Sequence, residues 1–158
     1  MAPKEYSLCL QKGITGGFAP PTPSFIATIT RPIDSDSLNI TTASRPDGTP
    51  ELQNFAPKTL TLGHAAQLTG VSTSAEALID ELHGILKQLP TEQPPGSEDI
   101  YGLDISIFWG SNDLQWMNGG MNGVNGQPGS SSVQATPEQK AQFKRAVEIV
   151  EVLVGEAQ

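Results

Sequence analysis

Apolar and polar residues alternate near the start of the chain. Tyr6, Leu8 and Leu10 fall on one face of residues 5–11, and Ser7, Cys9 and Gln11 on the other. A period of two predicts a strand with one side on a core. Ser24 to Arg31, rich in Ile, Thr and Phe, predicts a second strand that ends at Arg31-Pro32. Leu38, Ile40 and Thr42 alternate in a third, and Lys58 to Leu62 forms a short fourth. Between these two, Arg45-Pro46-Asp47-Gly48-Thr49-Pro50 has the Pro and Gly placement of a turn. Ile100 to Trp109 predicts a later strand, with Leu103, Ile105, Ile107 and Trp109 pointing one way and Asp104, Ser106 and Phe108 the other.

Two segments switch to helical spacing. Ala75, Leu78, Ile79, Leu82, Ile85, Leu86 and Leu89 repeat every three or four residues, with Thr73 as cap, Glu76 as its capping-box partner and Pro90 as the stop. Thr136-Pro137-Glu138-Gln139 opens the last helix, with Thr as cap and Pro in the first turn. Phe143, Ala146, Val147, Val150, Leu153 and Val154 form its apolar stripe, which Ile149 and Val152 widen. Such a helix is either deeply buried or lends a flank to a second copy, so a homodimer through the C-terminal helix stays open. The elements together predict an α+β fold: an antiparallel sheet of about four strands with two helices packed on one face. Length places it in a single domain over residues 1–158. Residues 118–135, rich in Gly, Asn and Ser, are expected to form a flexible insert.

Composition narrows the partners. Charged residues make up 16% of the chain, and 16 Gly and 13 Pro predict long loops around a modest core. A formal net charge of −8 disfavours nucleic acid and anionic membranes. The single cysteine, Cys9, excludes an internal disulfide and any multi-cysteine metal site, and no metal is expected. No stretch approaches the ~20 apolar residues of a membrane span, and the first residues lack the apolar run of a signal peptide. The expected compartment is the cytoplasm.

Candidate chemistry is sparse. His64 and His83 stand in no metal-spaced pair and are expected on the solvated surface. Cys9 has no base beside it in sequence and is expected to be inert. Glycines 119, 120, 123 and 126 lack the spacing of a phosphate-binding loop. Asp104 and Asp113, with Trp109 and Trp116 close by, could form an acid/base pair or a sugar-binding platform. The competing reading leaves Asp104 in solvent and makes Asp113 a turn cap.

The stiffest loop is Gly16-Gly17-Phe18-Ala19-Pro20-Pro21-Thr22-Pro23. Gly opens unusual backbone conformations, and Pro removes freedom before any partner arrives. Phe18 is either displayed on this loop or tucked into the core. Gly16-Gly17-Phe18-Ala19 after Leu8-Cys9-Leu10, a helix from Thr73 to Leu89, and Asp99-Ile100-Tyr101-Gly102-Leu103-Asp104-Ile105-Ser106-Ile107 together resemble emfourin. That family consists of small cytoplasmic bacterial inhibitors of thermolysin-like zinc metalloproteases. The chain departs from it in the proline run after Ala19 and in the insert at 118–135. The resemblance implies a non-enzymatic protein binder without a cofactor, whose contact surface is the loop Gly16, Gly17, Phe18, Ala19 and Pro20.

Overall fold

The computed structural model describes residues 4–13, 24–45, 53–68, 70–93, 99–118 and 132–157. Tyr6–Lys12 (β1) and Phe25–Arg31 (β2) pair antiparallel, with Leu8 opposite Ile29. Ser37–Ser44 (β3) joins β2, and β3 carries both Gln53–Asn54 (β4) and Lys58–Thr61 (β5) on its outer edge. A separate hairpin of Ala65–Leu68 (β6) and Val71–Ser74 (β7) leads into helix Ala75–Gln88 (α1). Ile105–Ser111 (β8) lies beside β1, Gln115–Met117 (β9) completes the sheet, and Pro137–Glu156 (α2) closes the fold.

The architecture is α+β, as expected, but the main sheet has seven strands in the order β4-β3-β2-β1-β8-β9, with β5 also on β3. The expectation of about four strands fails for a physical reason. Strands as short as β4 and β9 contain no full period of alternation, so only their partners reveal them. The later strand also begins at Ile105 rather than Ile100. Gly102 and Asp104 adopt φ of 71° and 59°, left-handed values that turn the chain before it can extend.

Alternate strand residues carry the core. Leu8, Leu10, Ile29, Leu38, Ile40, Ile107 and Trp109 join Leu78, Leu82 and Leu86 of α1 and Phe143, Val150 and Leu153 of α2 in one apolar cluster. Burying each such side chain contributes about 1.5–3 kcal/mol. Ser74, not Thr73, caps α1 by accepting from the Ala77 N–H, because the hairpin strand runs on through Ser74 and the helix starts only at Ala75. The cap of α2 follows the sequence: Thr136 and Gln139 bond reciprocally, with Pro137 in the first turn.

Both ends of the segment expected as an insert are among the described residues. Asn118 is buried, and its side chain accepts from the Ile107 N–H at 2.8 Å and donates to the Ile105 carbonyl at 2.9 Å. Ser132 N–H donates to the Gln93 carbonyl, and Ala135 packs on the core. Residues 119–131 lie outside the described residues. Among the described residues, no helix is long and apolar enough to cross a membrane.

Candidate functional site

The loop Gly16, Gly17, Phe18, Ala19, Pro20 and onward to Pro23 lies outside the described residues, but both its roots are described. They stand on β1 and β2, two interior strands of the sheet. The Ser24 N–H donates to the Lys12 carbonyl at 2.9 Å, closing the strands beneath the loop. Lys12 Nζ lies 2.8 Å from a Glu151 carboxylate oxygen on α2 and 5.4 Å from the centroid of the Phe25 ring. Gly13, at φ 85°, donates its N–H to the Asp104 carbonyl. A residue with a Cβ would be strained at Gly13. Sheet pairing, an ion pair, a cation–π contact and a turn thus converge on the loop roots.

The Asp/Trp set is not brought together. Asp104 and Asp113 flank opposite ends of β8, whose seven residues span roughly 20 Å at about 3.4 Å each. That exceeds the 5–10 Å over which carboxylate pairs act. Trp109 is fully buried, stacks on Tyr6 at 4.7 Å between centroids and donates its Nε1–H to Ser111 Oγ. Trp116 is buried as well, and its Nε1–H donates to the Leu89 carbonyl. Neither indole offers a free face for a sugar. Asp104 is a turn residue rather than a mid-strand one, and its N–H donates to an Asp99 carboxylate oxygen at 2.9 Å.

What does assemble is a cluster around Asp113. Ser111 Oγ donates to Asp113 Oδ1 at 2.6 Å. His83 Nε2 and Lys87 Nζ approach Oδ2 at 2.9 and 3.1 Å. The Ser111 hydrogen bond, then Lys87 and His83, hold the Asp113 carboxyl well below the usual carboxylate range. These residue types suggest a hydrolytic triad, but the order is wrong. Serine and histidine both bond to the carboxylate, whereas nucleophile activation needs the imidazole between the other two. The cluster therefore ties α1 to the β8–β9 turn.

His83, expected on the solvated surface, is only 2% exposed and tilts against Trp109. Its spacing carried the signal: Ile79, Leu82, His83 and Leu86 fall at i, i+3, i+4 and i+7 of one helical face. His64 is partly exposed and lies 2.9 Å from Glu156, joining the start of the β6–β7 hairpin to the end of α2. Burial raises the Cys9 thiol, and Thr28 Oγ1 lies 3.9 Å from its sulfur. A thiol held protonated is a poor nucleophile. No group of three or more His, Cys, Asp or Glu among the described residues could hold a metal ion.

In comparisons with known proteins, no family model, no curated protein and no solved structure matches this chain.

Proposed function

We propose that the chain is a non-enzymatic protein-binding module of the cytoplasm, an inhibitor of a thermolysin-like metalloprotease that acts through the loop from Gly16 to Pro23. The observation that carries this reading is the anchoring of the loop roots. They stand on two interior strands, cross-tied by the Ser24–Lys12 backbone bond and the Lys12–Glu151 ion pair. A loop on fixed roots, stiffened by three prolines, loses little conformational freedom when it docks. The Asp/Trp alternative loses support from the separation of its carboxylates and the burial of its indoles.

The test is titration of the purified chain into a thermolysin-like protease turning over a fluorogenic peptide. Stoichiometric loss of activity is expected, with Phe18→Ala and Gly17→Val weakening it at least tenfold. Full protease activity at a molar excess of the chain, or inhibition that both variants retain, overturns the reading.

A further inference from the structure

The outer edge of the sheet contains an irregularity. β4 pairs with β3 through Asn54 opposite Ala43, and β5 resumes the pairing through Lys58 opposite Ile40. Two residues of β3, Thr41 and Thr42, therefore face three on the edge: Phe55, Ala56 and Pro57. One extra residue on one strand is a β-bulge, a device that bends an edge and redirects its side chains. Pro57 suits the interruption because it has no N–H to offer a ladder. The Phe55 N–H still donates to the Thr42 carbonyl at 3.0 Å, which fixes the backbone that carries the ring. The ring points away from the core, leaving Phe55 51% exposed.

Phe55 borders a groove of about 300 Å³ whose other walls include Ile26, Thr28, Thr41 and Asn54. Among the described residues, this lining has one aromatic ring, several hydroxyls, one amide and no charge. The neutrality extends across the face: from Ser7, Cys9 and Gln11 on β1 to Asn39, Thr41 and Ala43 on β3, no outward position is acidic or basic.

We propose that this bulge-walled groove binds a neutral carbohydrate chain. The face of an aromatic ring stacks on the C–H face of a pyranose, while hydroxyl and amide side chains exchange hydrogen bonds with sugar hydroxyls. A phosphorylated or carboxylated ligand would find no cation among the described lining residues. The groove sits on hydrogen-bonded sheet, so little ordering cost accompanies binding. No described lining residue belongs to the loop from Gly16 to Pro23, and the proposal stands or falls independently of the protease reading.

Affinity electrophoresis of the full chain through gels containing hydroxyethyl cellulose, galactomannan or soluble starch tests the proposal. Retardation by at least one polymer is expected, followed by calorimetric titration with a hexasaccharide of that polymer. Phe55→Ala should weaken binding about tenfold, and Thr41→Val should weaken it less. Phe108→Ala, which removes an exposed ring from the same face on β8, should leave it unchanged. Circular dichroism of each variant should match the parent, since Phe55 contributes little to the core. Three outcomes overturn the proposal: no retardation in any of the three gels, retardation that Phe55→Ala leaves intact, or a doubled mass in light scattering that Phe55→Ala abolishes. The last assigns the ring to a second copy of the chain.

Discussion

Asp113 shows how one side chain acquires a role from its neighbours. Its carboxylate receives Ser111 on one oxygen and His83 with Lys87 on the other, yet it remains 40% exposed. Exposure screens these contacts, so their contribution to stability is modest. Its direction with pH is definite. A carboxyl whose folded pKa is depressed gives its full contribution above the unfolded value, about 3.9, and loses it as pH falls through the folded one. Urea midpoints measured from pH 6 down to pH 2 should therefore fall less steeply in Asp113→Asn than in the parent. Equal slopes would show that the cluster does not contribute through this carboxylate. At this scale the sequence was only partly legible. Ser111-Asn112-Asp113 is recognisable as a turn, but the arrival of His83 and Lys87 depends on where α1 is laid.

Helix α2 shows what periodicity resolves and what it leaves open. Its cap, its first-turn proline and its apolar stripe are all readable from Thr136 to Val154. Whether the broad stripe serves one chain or two is a matter of packing. Ile149 is completely buried within the chain, and Val152 packs partly buried on the same core, so Ile149 is not on a surface left open for a two-fold partner. Ile149→Ala should cost about 2–5 kcal/mol in chemical denaturation, with a midpoint that does not vary with protein concentration. A concentration-dependent midpoint would return Ile149 to a subunit interface. Short strands behave oppositely to helices. β4 has two residues and β9 has three, too few for alternation to register. The bulge at Phe55–Pro57 exists only as a mismatch between two pairings.

For the whole molecule, burial has a consequence that a single spectrum can follow. The chain has two tyrosines, Tyr6 and Tyr101, and both lie in the core. Burial raises both phenols above their ordinary value. Nearby Arg31 opposes the shift at Tyr6, whereas Glu92 adds to it at Tyr101. Raised folded values mean that stability from these groups is complete below about pH 10 and is lost as pH climbs beyond it. Absorbance near 295 nm should therefore show no tyrosinate step around pH 10 in the folded chain, and ionisation should coincide with alkaline unfolding. A reversible step near pH 10 without unfolding would place a phenol in solvent. The sequence by itself determined the α+β class, the long strands, both helices, the Pro90 stop of the first, and the acidic charge. Each of these follows from local spacing, caps and composition, which need no distant partner. Tertiary structure alone decided that Trp116 is core, that Asp104 and Asp113 stand apart, that His83 meets Asp113, and that Phe55 is turned outward. Each of those depends on which strand lies beside which, and pairing between residues far apart in the chain leaves no local period to read.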